Sequence, residues 1–343
     1  MGGLLAEVGK RLAERWVSIL VLPGALYLAV LAAGRVLGHG HALEVARLVR
    51  YVDALAASPR AGSVGSLAVV LIAGLLGAAA AGVVAQALGS GVERVWVAVE
   101  CDAWPAPLRW LARQRVAARA GRWDELTRRR RVEVERRARQ RALGPQASTA
   151  TSPPTAPTGI PSLADQQRRI ARIALERPIC PTWMGDRVAG VAVRLRREYD
   201  LDPATVWPHL RLCLPETTRA EFTEARSELG RTTTLTGWGV LYVGVGVLWW
   251  PGLVAAAVLV LTGWRRTRAA TDLYAQVLEA AMRLHAVELA RLHGLVRGEE
   301  PQRLDRRIGR ELTFLLQGQG HLISLTAPRS EPVPSRTGET PAP

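Results

Sequence analysis

The sequence predicts an all-α fold, that of a helical integral membrane protein with four transmembrane helices and a helical cytosolic region. Residues 235–264 contain no charged side chain and are followed directly by two arginines. Residues 64–88 are also free of charge, and residues 16–37 are apolar apart from one arginine near their end. Apolar runs of about 18 residues or more are typical of membrane spans rather than of soluble core helices.

Blocks of apolar and charged residues divide the chain into successive segments, with both termini on the cytosolic side of the cell membrane. The N-terminal half comprises a cytosolic helix at 1–15, a first span at 16–37, an external loop at 38–63, a second span at 64–88, and basic cytosolic helices at 89–143. The C-terminal half comprises a disordered linker at 144–164, a cytosolic helical domain at 165–230, a third span at 231–249, a fourth span at 251–268, cytosolic helices at 269–318 and a disordered tail at 319–343. Linker and tail are rich in Pro, Ser and Thr and poor in large apolar residues.

The first span follows a short amphipathic stretch that contains Lys10, the only lysine of the chain. Its apolar part is longer than the core of a secretory signal and no Ala-x-Ala cleavage site follows it, so we expect the span to be retained. Pro23 and Gly24 predict a kink within it. In the loop that follows, apolar residues recur at helical spacing between residues 43 and 55, which favours a helix lying on the membrane surface.

The second span carries small residues on one helix face. Gly74, Ala78 and Gly82 lie four residues apart, a spacing that lets two helices approach closely in lipid. The same pattern also follows from a composition rich in alanine and glycine, and both interpretations stay open. As a packing face it would serve within one chain or between copies of the chain in a homo-oligomer.

Residues 89–143 carry a large excess of arginine over acidic residues. Their second part has charge on every face of a helix, with pairs such as Glu133 and Arg137 four residues apart, which predicts a solvated helix. The arginine run at residues 128–131 could contact anionic lipid or nucleic acid. We favour lipid, because the segment is tethered beside a span, and do not expect nucleic acid as a partner. The net charge of +15 is discounted, because an arginine excess with a single lysine is typical of a GC-rich coding sequence.

Residues 181–187 read Pro-Thr-Trp-Met-Gly-Asp-Arg and predict a loop-to-helix junction. Thr182 or Asp186 is placed to cap the helix that follows, and the apolar side chains between them to dock on a neighbouring surface. We favour a structural turn that packs the cytosolic helices together and keep a ligand site as the alternative. This candidate interaction motif consists of Pro181, Thr182, Trp183, Met184, Gly185, Asp186 and Arg187.

The motif is accompanied by Tyr-Asp-Leu-Asp at residues 199–202, Trp-Pro at 207–208 and Leu-Pro-Gly-Ala-Leu-Tyr at 22–27. Together these residues resemble a family of uncharacterised, mainly actinobacterial, multi-pass integral membrane proteins with a Pro-Thr-x-Leu/Met-Gly-Asn/Asp cytosolic motif. The resemblance covers most of the chain except the linker and the tail. It implies a membrane architecture with a closing hairpin and implies no activity. Asp200 departs from the family pattern, which has glycine there, so a different turn is expected at this position.

The longest apolar stretch, residues 235–264, fits two topologies. As a single helix it would be about 45 Å long, more than the hydrocarbon core of about 30 Å. As a hairpin it turns at Trp-Trp-Pro-Gly, residues 249–252, and leaves Arg231 and the arginines at 265–268 on one side, as the positive-inside rule prefers. We favour the hairpin and retain the single crossing as the alternative.

The remaining polar residues give weak indications of a metal or catalytic site. His285, Glu288 and His293 share part of a helix face, but this spacing is a poor metal motif. The three cysteines lack CxxC spacing, so neither a disulfide framework nor a zinc site is predicted. GxSxG, HExxH and P-loop motifs do not occur. We therefore predict no catalytic residues, no metal and no cofactor.

Three classes of function are compatible with this pattern. Transport paths usually carry ionisable groups at mid-membrane, whereas the predicted spans offer only hydroxyls there. An enzyme is disfavoured by the lack of a catalytic motif. The sequence therefore favours a membrane-anchored interaction or scaffold protein whose cytosolic helices bind a protein partner. An oligomeric channel or transporter component is the alternative.

Overall fold

The computed structural model describes residues 21–57, 64–99, 104–142, 162–296 and 303–322. These ranges form ten α-helices and no strand, which confirms the all-α class. The helices are α1 (Leu22–Leu37), α2 (Val45–Ala56), α3 (Val64–Trp96), α4 (Ala106–Ala142), α5 (Leu163–Ile173), α6 (Trp183–Tyr199), α7 (Pro203–Cys213), α8 (Glu216–Leu248), α9 (Trp250–Leu292) and α10 (Arg306–Leu316), and a 3-10 turn follows at Gly320–Leu322. The helix predicted at residues 1–15 lies outside the described residues, as do nearly all of the predicted linker and tail.

The chain divides into two compact units. One consists of Met1–Val191 with Ala220–Val277, and the other of Ala192–Arg219 with Leu278–Pro343. The division falls within helices α6, α8 and α9. Each unit has its own core.

The apolar stretch at residues 235–264 forms a helical hairpin. Helix α8 ends at Leu248 and α9 begins at Trp250. A Cβ atom at Gly239 would lie 2.7 Å from Cγ2 of Val260, so the two helices run antiparallel in close contact. Pro251 falls in the first turn of α9, where a missing backbone N–H costs no helical hydrogen bond.

The first unit is centred on a bundle of α1, α3, α8 and α9. Its interior is filled by aromatic and aliphatic side chains, with the ring of Tyr27 5.4 Å from that of Tyr242 and 6.1 Å from that of Trp238. Ala85 of α3 packs against Trp238 in the same cluster. The indole N–H of Trp249 donates to the carbonyl of Ala42 at 3.0 Å, so the hairpin turn and the loop after α1 lie at the same end of the bundle.

Many outward-facing side chains of this bundle are large, apolar and exposed. On α3 they include Val69, Leu71 and Leu76, and on α8 Val247 is 73% exposed. By length and composition, the described residues contain one helix able to cross a membrane, Ala68–Trp96, and only 17% of its most apolar part is buried. Leu22–Leu37 is apolar but shorter. The expected four spans are thus not established by helix length.

The helix boundaries explain why the expected spans and the observed helices differ. The predicted third span is the second half of α8, a continuous helix that starts far earlier at Glu216, and the predicted fourth span is the first half of α9. The hairpin turn separates two apolar arms, and the charged residues Arg231 and Arg265 bound them at the other end. The first predicted span begins at residue 16, outside the described residues, so only its later part is observed in α1.

The second unit is built around a core of buried aliphatic side chains. Its centre is formed by fully buried aliphatic residues: Leu195, Leu201, Val206, Leu210, Met282, Leu289, Ile308 and Leu312. Ion pairs surround this core, for example Arg194 with Glu279 at 2.5 Å. A Cβ atom on Gly309 would lie 2.0 Å from the carbonyl oxygen of Tyr199, so glycine is what allows α10 to approach the end of α6 this closely.

Candidate functional site

The motif at residues 181–187 forms the start of α6, as a junction between three helices. Thr182 caps the helix, because its Oγ1 accepts the backbone N–H of Gly185 at 3.0 Å. Its hydroxyl also donates to the carbonyl of Trp96 at the end of α3. A Cβ atom on Gly185 would lie 2.6 Å from the carbonyl oxygen of Ala98, so any larger residue would separate α6 from the chain that follows α3.

Asp186 caps the loop before α6 rather than the helix itself. Its Oδ1 accepts the backbone N–H groups of Ile179 and Cys180 at 2.8 and 2.7 Å. Its Oδ2 lies 2.7 Å from Nη1 of Arg119, an ion pair without hydrogen-bond alignment. Burial raises the pKa of the Asp186 carboxyl above its ordinary value, although the two N–H donors and Arg119 oppose that shift.

Arg119 is the residue of α4 that holds this loop in place. Besides the ion pair, Nη1 donates to the carbonyl of Cys180 at 2.7 Å and Nη2 to the carbonyl of Ile173 at 2.6 Å. One turn further along α4, the indole N–H of Trp123 donates to the carbonyl of Ala174 at 3.2 Å. Helix α4 therefore positions both the end of α5 and the start of α6.

The remaining motif residues also make structural contacts. The indole N–H of Trp183 donates to the carbonyl of Ala171 at 3.2 Å, and Met184 is buried. Nε of Arg187 lies 2.5 Å from Oδ1 of Asp272, which ties α6 to α9. Nη1 of Arg187 is buried without a hydrogen-bond partner among the described residues. The observed contacts fit the predicted structural turn.

A cavity of about 550 Å³ opens beside this junction. The motif contributes Pro181, Thr182, Trp183 and Met184 to its wall. Its charged lining consists of five arginines, Arg115, Arg119, Arg122, Arg172 and Arg268, and no carboxylate among the described residues lines it. Its aromatic lining includes Trp96 and Trp264 as well as Trp183.

The arginines of the cavity differ in how they are held. Arg119 is largely buried and paired with Asp186, as described above. The guanidinium carbon of Arg268 lies 4.0 Å from the centre of the Trp183 ring, a cation–π contact. Arg115, Arg122 and Arg172 are exposed, and no acidic side chain of the described residues pairs with them. The cavity therefore carries a strong local excess of positive charge.

The cavity lies at the end of the bundle opposite the Trp249 turn. Helices α3 and α8 are in contact near this end, since a Cβ atom on Gly89 would lie 2.7 Å from the Cα of Thr234. Beyond this contact α3 continues to Trp96, which lines the cavity. From the other arm, Trp264 lies at the end of the uncharged part of α9.

The sequence singles out the motif at residues 181–187, part of which lines this cavity, but not the arginines that charge it. Arg115, Arg119 and Arg122 follow helical spacing on one face of α4, a signal present in the sequence but hidden among many arginines. The run at residues 128–131, which looked more basic, is partly neutralised, because Arg128 and Arg129 both pair with Glu125. Arg172 and Arg268 reach the cavity only through tertiary folding.

The predicted packing face of α3 is only partly in contact. Ala78 and Gly82 are buried, and a Cβ atom on Gly24 of α1 would lie 2.0 Å from the carbonyl oxygen of Ala78. Gly74 is exposed, with no atom near the position of its missing side chain.

The polar residues considered for metal binding belong to the second unit. Nδ1 of His285 lies 2.8 Å from Oε2 of Glu288, one helical turn along α9. In the described part of the chain, no group of three or more His, Cys, Asp or Glu residues is close enough to hold a metal ion.

Comparisons of this chain with protein families, with curated proteins and with solved structures give no match.

Proposed function

We propose that this chain is a multi-pass integral protein of the cell membrane that acts as a membrane-anchored binding or scaffold protein through its cytosolic helices. In this proposal the bundle of α1, α3, α8 and α9 lies in the bilayer with both termini in the cytosol. The arginine-lined cavity then faces the cytosolic surface of the membrane. The family resemblance of the sequence motifs is part of the same proposal.

One observation carries the membrane assignment: the bundle is apolar on its outside as well as inside. Val69, Leu71 and Leu76 on α3 and Val258 and Leu261 on α9 are all more than half exposed. Soluble proteins seldom expose contiguous apolar patches of more than a few hundred Å², because water disfavours them. Such a surface is suited to the hydrocarbon interior of a bilayer.

Three threonine hydroxyls at the start of the first arm agree with this placement. The hydroxyls of Thr232, Thr233 and Thr234 donate to backbone carbonyls of the preceding turn, at 2.9 to 3.0 Å. Hydroxyls satisfied within their own helix can enter the bilayer at low cost. The threonines therefore lengthen the first arm of the hairpin toward a full crossing.

Binding is favoured over transport because the centre of the bundle is packed. Tyr27, Trp238 and Tyr242 meet there, with Val245 fully buried beside them. A transport path needs polar or ionisable groups at this depth. The arginine-lined cavity lies instead at the junction of α3, α4 and α6.

Fractionation of cells that express the full chain tests the membrane assignment. We expect the chain to stay with membranes through an alkaline carbonate wash and to need detergent for release. Reporters fused after residues 62, 144 and 298 should then report one external and two cytosolic positions. A chain recovered in solution without detergent would contradict the proposal, and an external reporter at 298 would indicate a single crossing by residues 235–264.

Affinity capture and flux measurements separate the two functional classes. The full chain, extracted in mild detergent, should retain a stoichiometric protein partner that an unrelated membrane protein of similar size does not. The same preparation in proteoliposomes should show no ion flux above that of empty vesicles. Flux without a partner would favour the channel alternative.

A further inference from the structure

We propose that the arginine-lined cavity binds the phosphate-bearing headgroup of an anionic phospholipid. This inference rests on the membrane assignment made above and names a ligand for the cavity beside the motif at residues 181–187. The headgroup phosphate would lie among the guanidinium groups, with the acyl chains directed along the apolar surface of the bundle.

The charge of the cavity selects for an anion. Arg115, Arg122 and Arg172 project from two helices, α4 and α5, and no carboxylate in the described part of the chain lines the cavity to neutralise them. Of the acidic groups nearby, Asp186 is already paired with Arg119 and Asp272 with Arg187. Guanidinium groups match phosphate oxygens in geometry and donate two hydrogen bonds at once. An anion bound here would relieve repulsion among the arginines in addition to forming new hydrogen bonds.

Two features favour a fixed site over a diffuse basic surface. Arg268 is half-buried and stacked on the ring of Trp183, which orients its guanidinium plane. The ring of Trp183 is in turn fixed by the hydrogen bond of its N–H to Ala171. Pre-oriented donors lose less conformational entropy on binding than free side chains do. The volume of about 550 Å³ is within the range of small-molecule sites.

The position of the cavity favours a lipid over a soluble phosphate ester. Trp96 and Trp264 line it, the former at the end of α3 and the latter at the end of the uncharged part of α9. Tryptophan is enriched at the level of lipid headgroups, where its ring is apolar and its N–H is hydrated. Basic pockets between transmembrane helices on the cytosolic side are suited to anionic headgroups.

Native mass spectrometry of the full chain in mild detergent tests the proposal, with phosphatidylglycerol, phosphatidylcholine and sn-glycerol 3-phosphate as probes. We expect phosphatidylglycerol to bind more tightly than the other two. The double variant Arg122→Gln/Arg172→Gln should weaken that binding about 25-fold, since each arginine near an anionic surface contributes about fivefold. Both side chains are exposed, so the fold should be retained.

The matched control is Arg131→Gln/Arg169→Gln, which removes the same charge from the same two helices at exposed positions outside the cavity. It should leave the binding unchanged. A second comparison sets Arg268→Gln against Arg266→Gln, both on α9, with only the former lining the cavity. Thermal unfolding of every variant verifies that it is folded.

Three results would overturn the inference. Equal losses in the test and control pairs would mean that net charge alone attracts the lipid. Equal affinity for phosphatidylcholine would remove the role of the anion, and equal affinity for glycerol 3-phosphate would assign the cavity to a soluble ester. Failure of the membrane assignment is distinguishable from all three, because the chain would then be soluble without detergent.

Discussion

At the scale of single residues, Asp200 shows how a departure from a sequence pattern is accommodated. It follows α6 with a backbone φ of 55°, in the left-handed region that favours glycine. Its N–H donates to the carbonyl of Arg196 at 2.9 Å, which closes the helix end. Aspartate tolerates this region better than most residues, and its carboxylate pairs with Arg310 at 2.7 Å.

Two substitutions at this position separate the backbone effect from the ion pair. Asp200→Gly and Asp200→Ala both remove the carboxylate, but only alanine keeps the cost of a left-handed backbone. We expect the alanine variant to have a free energy of unfolding lower than that of the glycine variant by about 1 kcal/mol. Thermal unfolding in detergent measures the difference. Two variants of equal stability would contradict the assigned conformation.

We predict that the stability of the protein depends on pH through the Asp186 carboxyl. Because burial raises its pKa in the folded protein, the folded state holds this proton more tightly than the unfolded chain does. The free energy of unfolding should therefore fall as the pH rises from the ordinary carboxyl pKa through the raised one. Asp186→Asn lacks this titration. Relative to that variant, the wild type should lose about 1.4 kcal/mol for each unit between the two pKa values.

Asp124→Asn provides a control of opposite sign. The hydrogen bond from Arg177 lowers the pKa of the Asp124 carboxyl, so its stabilising contribution is present above the ordinary pKa and is lost in acid. Relative to this variant, the wild type should become more stable as the pH rises through the acidic range. Unfolding midpoints measured from about pH 2 to pH 8 compare the two trends. A pH-independent difference for Asp186→Asn would contradict the raised pKa.

Part of this residue-level chemistry follows from the sequence. A threonine just before a helix start predicts a cap, and of the two candidates Thr182 and Asp186 it is Thr182 that caps α6. The role of Asp186 does not follow, because its partner Arg119 is distant in sequence and reaches it only when α4 packs on the loop. The same holds for Arg172 and Arg268, which join the arginines of α4 at the cavity only through tertiary folding.

At the scale of helices, glycine sets how closely α3 and α8 approach. A Cβ atom on Gly237 would lie 2.2 Å from the carbonyl oxygen of Ala85, closer than any real contact. Gly237→Ala must therefore push the helices apart, which typically costs 1–3 kcal/mol. Gly244→Ala on the same helix is the matched control, since nothing lies within 4 Å of its Cβ position.

We expect Gly237→Ala to lower the unfolding midpoint in detergent and Gly244→Ala to leave it unchanged or raise it slightly. Alanine forms helix more readily than glycine, which favours the control variant. Circular dichroism during heating provides the measurement. A loss of the same size in both variants would show that helix propensity, not interhelical distance, governs these positions.

Helix contacts of this kind are only partly readable from spacing. The face of Gly74, Ala78 and Gly82 is visible in the sequence because its members recur every four residues. The contacts at Gly89 and Gly237 join two helices far apart in the chain, and no local spacing identifies their partners. Periodicity predicts which residues share a face, whereas the partner of that face depends on the fold.

At the scale of the whole molecule, composition predicts the class of fold but not the residues at which its helices begin and end. Charge-free blocks predict helices, and the described chain is entirely helical apart from turns and loops. The boundaries differ because a helix does not end where its composition changes. Helix α8 passes from charged to apolar residues near Arg231 without a break, and α9 passes back near Arg265. Hydropathy marks the change of composition, and backbone hydrogen bonding continues through it.

The sidedness of the chain can be tested by labelling its own cysteines. The proposed topology places one crossing, α3, between the external loop and the second unit. Cys213 is exposed and Cys180 is fully buried. In a chain with Cys101→Ser, a membrane-impermeant maleimide should label Cys213 only in inverted vesicles and should label Cys180 only after denaturation. Glu44→Cys, at an exposed position beside Ala42, should be labelled only in right-side-out vesicles. Labelling of both positions from one face would mean that α3 does not cross the bilayer, because a helix that spans it must separate the residues before it from those after it.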